Sequence, residues 1–193
     1  IKMHKYSVMR NEWLTPSTLL LTLKKNTDES KLFSFQPGQY AAISFKHRKR
    51  PTAARCFSIV SSPTEQSILQ FSMRSKGRYT RALADLKEGD EVKVRGPFGG
   101  FVLEDAHGSE TVMLAGGIGV TPLISMIRFA TDTNLNLKIS LIYSCSTQDD
   151  VPFAEELIDL EKHNPNLQIF FVIGDGPIDK FANQKVICLE DYN

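Results

Sequence analysis

The stretch RCFSIVSSP, residues 55–63, decides how the rest of this sequence is interpreted. Its centre, from Cys56 to Val60, is short and mostly apolar and ends at Ser-Ser-Pro, which predicts a buried strand leading into a turn. Arg55 stands at the mouth of that strand with a permanent charge and five N–H donors, so it suits a carboxylate or a phosphate. Phe57 adds a flat ring and Ser58 a hydroxyl, on opposite faces of the strand. The pattern fits an extended polyanionic ligand with a planar head, or equally a surface arginine beside a core strand.

A second feature that suits an anion is predicted where a helix begins after Gly77. Apolar residues at helical spacing predict this helix over residues 78–86. Glycine at the entrance lets backbone N–H groups face outward, the helix start favours an anion, and Thr80 adds a hydroxyl. These residues predict either a phosphate contact or a plain cap on a β-barrel.

The third feature is a glycine turn between a strand and a helix. Residues 111–115 form an uninterrupted apolar run, typical of a parallel strand that is buried on both faces. Gly116, Gly117 and Gly119 follow, and a helix is predicted to begin near Thr121. A strand, a glycine turn and a helix start together predict a phosphate cradle, and the alternative is a simple tight turn.

The chain changes character near residue 105, and this change predicts two domains. Short strands broken by Gly and Pro predict an antiparallel β-barrel over residues 1–104. Strands alternating with helices predict an α/β parallel sheet over residues 105–193. Charge supports the division, because residues 1–103 hold 18 Lys or Arg and 8 Asp or Glu, a net +10, whereas residues 104–193 carry −9. The basic half suits a ligand with two phosphates or an acidic protein partner.

Composition excludes several classes of function. No apolar run is long enough to span a membrane, and three separate cysteines predict reduced, buried thiols in a cytoplasmic setting rather than a metal or disulfide framework. We find no nucleophile–base pairing for a hydrolase, no metal cluster, and no pattern for nucleic-acid binding. The basic cluster at residues 46–50 is interpreted as a solvated loop rather than a binding patch.

In order and spacing, these stretches resemble the ferredoxin–NADP reductase-like superfamily of flavin-dependent reductases. The resemblance also uses Pro-Gly-Gln-Tyr at residues 37–40 and Gly-Pro-Phe-Gly at residues 96–99, and it covers nearly the whole chain. The family's flavin motif is Arg-x-Tyr-Ser/Thr, so Phe57 departs from it by lacking the hydroxyl. The resemblance implies an FAD-binding barrel domain followed by an NAD(P)-binding domain.

The resemblance also implies roles for individual residues. Arg55 would pair with the flavin phosphates, Phe57 would lie along the flavin, and Ser58 would be catalytic by hydrogen bonding near the atom that receives the hydride. Other cofactor contacts would come from Gly77 and Thr80 at the flavin pyrophosphate, and from Gly116, Gly117, Gly119, Thr121 and Asp150 at the nicotinamide nucleotide.

The end of the chain departs from the family pattern. A strand followed by Cys-Gly-Pro-x-x-Met is expected in the nucleotide domain, but Cys188 is followed by Leu189 and Glu190. We therefore expect a C-terminal truncation, with the last strand missing. Nucleotide choice rests on the stretch after the domain's second strand, which lacks Arg and Lys and ends in Asp149 and Asp150. These acids favour NADH over NADPH by repelling a 2′-phosphate, and they would also do so if they merely cap the next helix.

The sequence therefore predicts an FAD-dependent NAD(P)H reductase module that passes electrons to a haem, an iron–sulfur protein or domain, or a metal chelate. It would act in the cytoplasm or at the cytoplasmic face of a membrane. One alternative is a non-catalytic flavin- or nucleotide-binding unit for regulation or docking. Another is a protein-interaction barrel without flavin.

Overall fold

The computed structural model describes residues 3–25, 33–103 and 109–189. In these ranges the chain forms an antiparallel sheet followed by a parallel sheet, with the two longer helices in the second half. The expected change of architecture is therefore confirmed. The expected boundary between Glu104 and Asp105 lies outside the described residues.

The first half is an antiparallel sheet of seven strands. The strands are β1 (Met3–Thr15), β2 (Thr18–Lys25), β3 (Tyr40–His47), β4 (Arg50–Pro51), β5 (Arg55–Ser58), β6 (Ile68–Arg74) and β7 (Glu91–Phe98), with helix α1 (Arg78–Ala84) between β6 and β7. Their order is β4-β3-β7-β1-β2-β6, and β5 pairs with β3. A bridge between Ile59 and Phe71 brings the end of β5 against β6, so the sheet curls like a barrel without one continuous closing ladder.

The second half is a parallel sheet of four strands with helices in the connections. The elements are β8 (Glu110–Gly116), α2 (Thr121–Asp132), β9 (Lys138–Cys145), α3 (Ala154–His163), β10 (Leu167–Ile173) and β11 (Lys185–Cys188). The strand order is β11-β10-β9-β8, and each neighbouring pair is parallel. None of the described helices is long and apolar enough to cross a membrane.

One face of the parallel sheet packs on the helices. Met113, Leu141 and Ile169 lie side by side across three strands and are buried. They share a core with Ile127 of α2 and Leu157 of α3. The alternating burial along β9 and β10 follows from the period of two in a strand.

The other face of this sheet is apolar but open among the described residues. Leu114 is 72% exposed, Val112 is 65% exposed and Ile142 is 38% exposed. The expectation that residues 111–115 form a strand buried on both faces is therefore wrong for the outward face. The reason is that α2 and α3 both pack on the inward face.

Two clusters of buried side chains correspond to the two sheets. One lies inside the antiparallel sheet around Tyr6, Leu21 and Phe71, and the other lies between the parallel sheet and its helices. Leu20 and Val60 belong to the first half of the chain but pack into the second cluster. These two residues fasten the sheets to each other by apolar contact.

The three thiols differ in exposure. Cys145 is buried, Cys188 is half-buried and Cys56 is exposed. The expectation of three buried thiols is therefore wrong for Cys56, which lies on a strand at the margin of the antiparallel sheet.

Candidate functional site: two crevices that meet at Arg74

A wide basic crevice opens between β4, β5, the end of β6 and the start of α1. It has a volume of about 1460 Å³. Of the described residues that line it, six are Arg or Lys and none is Asp or Glu. The cations are Arg48, Arg50, Arg55, Arg74, Lys76 and Arg78. Positive charge concentrated in a cleft raises the local concentration of anions, so this crevice suits a polyanionic ligand.

Strand β5 forms one wall of the basic crevice. It pairs with β3 through Ile43 and Ala42, and its residues Arg55 and Phe57 line the opening. The prediction of a buried strand from Cys56 to Val60 is wrong for its first half, because Cys56 is exposed and Phe57 is half-buried. It holds for Ile59 and Val60, which are fully buried. An exposed strand suits binding better, because the arginine fork stays open to a ligand.

Two aromatic rings give the basic crevice a flat wall. Phe57 and Tyr79 are stacked, with ring centroids 6.1 Å apart and planes at 23°. The Tyr79 hydroxyl donates to the carbonyl oxygen of Ile43 at 2.5 Å, which fixes the ring. Burial raises the pKa of Tyr79 to about 12, so the phenol stays protonated at neutral pH. From the sequence, Tyr79 counts only as one of the apolar residues whose spacing predicts this helix, so its place in the crevice wall was not predicted.

The start of α1 is held by its own hydroxyl. The Thr80 Oγ1 accepts from the N–H groups of Lys76 and Gly77, both at 3.1 Å, and donates to the Gly77 carbonyl. Gly77 and Thr80 do line the basic crevice. As the structure stands, the Thr80 hydroxyl shapes the helix start, so the phosphate contact predicted for it stays a prediction.

A smaller crevice of about 420 Å³ lies at the carboxyl edge of the parallel sheet. Gly116 and Gly117 line it, as do residues at the end of β9. Gly117 has φ 48°, and a Cβ there would meet nothing within 4 Å, so the backbone conformation rather than lack of space favours glycine. The turn runs directly into α2, which begins at Thr121 with a proline in its first turn, as expected.

Tyr143, a buried residue of β9, holds the glycine turn by a hydrogen bond. Its side chain is fully buried, and its hydroxyl lies 3.0 Å from the Gly117 carbonyl oxygen and 3.3 Å from that of Pro152. Burial raises the pKa of Tyr143 strongly, so the hydroxyl remains a donor. The turn at the end of β8 is thereby tied to the segment that precedes α3.

Asp150 borders the smaller crevice, but its carboxylate faces the antiparallel sheet. The Oδ1 accepts from the hydroxyls of Thr15 at 2.6 Å and Ser17 at 2.7 Å, and the Oδ2 accepts from Arg74 at 2.7 Å. Burial by itself would raise the pKa of Asp150, but the two hydroxyls and the arginine outweigh it and hold the pKa below its usual value. Asp150 is thus an ionised contact between the two sheets.

The neighbouring acid, Asp149, has a different partner. It pairs with Lys180 at 2.6 Å on the surface. The alternative in which these acids cap the next helix is wrong, because Phe153 is the N-cap residue of α3 and the acids of its first turn are Glu155 and Glu156. The local sequence lacks Arg and Lys, yet the fold brings Arg74 and Lys180 to these acids from elsewhere.

The remaining predicted residues lie near the crevices without lining them. Ser58 ends β5 opposite Tyr40. Thr121 is buried, and its hydroxyl donates to the Ile118 carbonyl at 3.0 Å, so it braces the glycine turn from inside. Gly119 is exposed in the same turn.

Arg74 lines both crevices and joins them. It was not predicted as a site residue, and neither were Arg48 and Arg50. Arg48 lies in the turn between β3 and β4, and Arg50 is the first residue of β4. This segment was interpreted from sequence as a solvated loop, but both arginines line the basic crevice. The only local signal for them was the density of positive charge.

Fold and crevices together define a class, the ferredoxin–NADP reductase-like flavoprotein modules, as the motifs implied. The chain belongs to the family of oxidoreductase FAD-binding domains, whose family model matches residues 5–103. A second model, the oxidoreductase NAD-binding domain, matches residues 113–188. FAD and a nicotinamide nucleotide are therefore the cofactors of this module.

Individual relatives agree with this assignment. The chain is 35% identical to the gamma subunit of sulfhydrogenase 2 from Pyrococcus furiosus, covering 80% of this chain and 52% of that protein. It is 33% identical to the ferredoxin–NAD(P)+ reductase component of the naphthalene 1,2-dioxygenase system from Pseudomonas putida, covering 78% and 45%. The chain thus spans about half the length of the curated relatives it matches.

The fold is shared with solved structures at lower identity. The FAD/NAD-binding domain of nitric oxide dioxygenase from Vibrio cholerae O1 biovar El Tor superposes with a TM-score of 0.83 at 19% identity, covering 96% of this chain and 78% of that one.

The residues present fit FAD. A dinucleotide needs cations for its phosphates and a flat apolar wall for its ring. The basic crevice supplies five cations besides Arg74, which is paired with Asp150, and the stacked Phe57 and Tyr79. FAD, when bound, accepts a hydride and can release the two electrons one at a time. The protein's part is to hold the phosphates, orient the ring, and keep the glycine turn at a fixed place beside the basic crevice.

Proposed function

We propose that the protein carrying this chain takes a hydride from NADH onto FAD and passes the electrons singly to a separate acceptor. The observation that carries this proposal is the junction at Arg74. One side chain is a wall of both the basic crevice and the glycine-lined crevice, so groups bound in the two would be neighbours. Hydride transfer requires such proximity, since the reacting atoms must approach to roughly 3–3.5 Å.

The residue roles in this proposal follow the two crevices. Arg55 pairs with the flavin phosphates, and Phe57 lies along the ring together with Tyr79. Ser58, at the end of the same strand, offers its hydroxyl near the reacting nitrogen. The nicotinamide nucleotide contacts the turn of Gly116, Gly117 and Gly119, which Thr121 braces through Ile118. Gly77 and Thr80 shape the helix start beneath the flavin pyrophosphate.

NADH is the proposed electron donor. Asp150 neutralises Arg74, the one cation among the described residues that line the smaller crevice, and the exposed Asp149 neutralises Lys180. A 2′-phosphate would have to compete with these carboxylates. The ratio of kcat/KM for NADH to that for NADPH, measured at one ionic strength, should exceed one, and a preference for NADPH would refute the choice.

The proposed acceptor is a haem, an iron–sulfur protein or domain, or a metal chelate outside this chain. Support comes from the two named relatives, a hydrogenase subunit and a dioxygenase reductase component. Acidic protein surfaces are favoured as partners, because the first 103 residues carry a net +10.

Anaerobic titration of the full-length protein with NADH tests the proposal. The purified protein should absorb in the flavin range, release FAD on denaturation, and lose its colour on addition of NADH. Colour that persists under both NADH and NADPH would favour a non-catalytic binding module. A colourless protein that does not take up FAD would favour an interaction barrel.

A further inference from the structure

Helix α2 carries a row of polar side chains that bond to the antiparallel half of the chain. It begins at the glycine turn, and Ser125, Arg128 and Asp132 follow one face of it. Ser125 donates to the Ser61 carbonyl at 2.8 Å, and Asp132 accepts from Thr64. Helix α2, which follows the glycine turn, is thus hydrogen-bonded to the segment that begins a few residues after Ser58.

Arg128 makes the central contact of this row. Its side chain is 16% exposed, and its Nη1 donates to the Val60 carbonyl at 3.0 Å and to the Gln70 Oε1 at 2.8 Å. Val60 lies two residues beyond Ser58, and Gln70 is a buried residue of β6. One guanidinium therefore holds two neighbouring segments of the antiparallel sheet against α2.

The guanidinium is itself fixed by α3. The Glu156 carboxylate accepts hydrogen bonds from the Arg128 Nε at 2.6 Å and from its Nη2 at 2.9 Å, so the two side chains form a bidentate ion pair. The Phe153 ring centroid lies 5.8 Å from the guanidinium carbon, and Phe153 adopts φ 63°, a left-handed conformation that is rare for an aromatic residue. Lysine has a single charged nitrogen, so it cannot reproduce this set of contacts.

We propose that Arg128 is a positioning residue that sets the glycine turn relative to the strand carrying Ser58, and that Glu156 orients Arg128 for this task. The inference rests on the proposed function. Among the described residues that line the two crevices, neither Arg128 nor Glu156 is present. Loss of the contacts that Arg128 makes should therefore leave both binding sites intact and change only their alignment. The rate of hydride transfer is sensitive to that alignment.

Arg128→Lys in the full-length protein is the first variant for the test. We expect FAD content to be unchanged and KM for NADH to shift by less than about threefold, while the single-turnover rate of flavin reduction falls by about 10- to 100-fold. Glu156→Gln should act in the same direction with a smaller loss, because the guanidinium keeps its contacts to Val60 and Gln70. Arg10→Lys is the matched control, since Arg10 forms an exposed pair with Glu12 and should give an unchanged rate.

A measurement on flavin-free protein gives a second readout that does not depend on catalysis. Amide hydrogen exchange should become faster in residues 60–70 and in α2 for Arg128→Lys, and stay unchanged in β10 and β11. Faster exchange throughout the chain would indicate general destabilisation and would overturn the positioning role.

The remaining outcomes separate this inference from the proposed function. If the unaltered protein holds FAD but no nicotinamide nucleotide reduces it, the proposed function fails and the positioning role falls with it. If the unaltered protein is reduced but Arg128→Lys and Glu156→Gln are reduced equally fast, only the positioning role is overturned. If Arg128→Lys does not fold, Glu156→Gln decides, and loss of FAD from that variant would also contradict the inference.

Discussion

The two crevices are built on opposite principles. The basic crevice uses charged side chains from a hairpin turn, an edge strand and a helix start, and five cations besides the paired Arg74 share the task. The smaller crevice uses the backbone of a glycine turn, which is held by a hydrogen bond from the Tyr143 hydroxyl to the Gly117 carbonyl. One site therefore depends on charge and the other on backbone conformation, so they should fail in different ways when mutated.

The largest effect is expected for Arg55→Ala. A charge-assisted contact contributes roughly 1.5–3 kcal/mol, so FAD should bind about 10- to 150-fold more weakly. Equilibrium dialysis of the flavin measures this, with Arg10→Ala as the control for loss of a surface charge. FAD affinity equal to that of the unaltered protein would mean that the other cations of the crevice compensate, and Arg55 would lose its assigned role.

Gly117→Val should affect the other crevice by a similar or smaller amount. A β-branched residue at φ 48° is strained by roughly 1–3 kcal/mol, which the turn relieves by moving away from its binding conformation. KM for NADH should rise while FAD content stays constant. Gly100→Ala is the control, because a Cβ at Gly100 meets nothing within 4 Å and Gly100 has no positive φ. A lost flavin with an unchanged KM would contradict the separation of the two sites.

Asp150→Asn tests the ionised contact between the sheets. Its loss should lower the free energy of unfolding by about 1–2 kcal/mol at pH 7, because the amide keeps an acceptor oxygen but no charge. The folded-state pKa lies below the usual 3.8, so the stabilisation is present above about pH 4 and is lost as pH falls through the lower value.

Thermal unfolding at several pH values measures the difference in the free energy of unfolding between Asp150→Asn and the unaltered protein. This difference should vanish in acid. Asp149→Asn is the control, since exposed pairs such as Asp149 with Lys180 contribute little. A stability difference that persists far below pH 3.8 would show that the charge of Asp150 is not its cause.

The smallest effect is expected for Ser58→Ala. A single neutral hydrogen bond contributes roughly 0.5–1.5 kcal/mol, so flavin reduction should slow by about 2- to 12-fold while FAD stays bound. Stopped-flow single-turnover rates measure this. Equal rates for the variant and the unaltered protein would remove Ser58 from the catalytic residues.

The sequence predicted the parts of this molecule that depend on neighbouring residues. The strand, glycine turn and helix start around Gly117 are local, and they were placed within a residue or two. The partners of Asp150 could not be predicted, since Thr15 and Ser17 lie 135 and 133 residues away in sequence. The same applies to Arg74, whose place at the junction of the crevices depends on how two sheets pack.

Burial was the less predictable property for a related reason. An apolar run indicates a strand but not how many of its faces are covered, and β8 is open on one face because its helices pack on the other. Likewise, the run after Arg55 indicated a strand but not its neighbours. In the structure β5 pairs with β3, and Phe57 lines the basic crevice.

The exposed thiol of Cys56 makes the basic crevice accessible to chemical labelling. Cys56 lines that crevice, whereas Cys145 is buried and Cys188 is half-buried. A maleimide should therefore react first at residue 56, and any molecule lodged in the crevice should shield it. The rate of alkylation, followed by intact mass, thus reports occupancy of the crevice without light absorption or electron transfer, and it applies equally to colourless ligands.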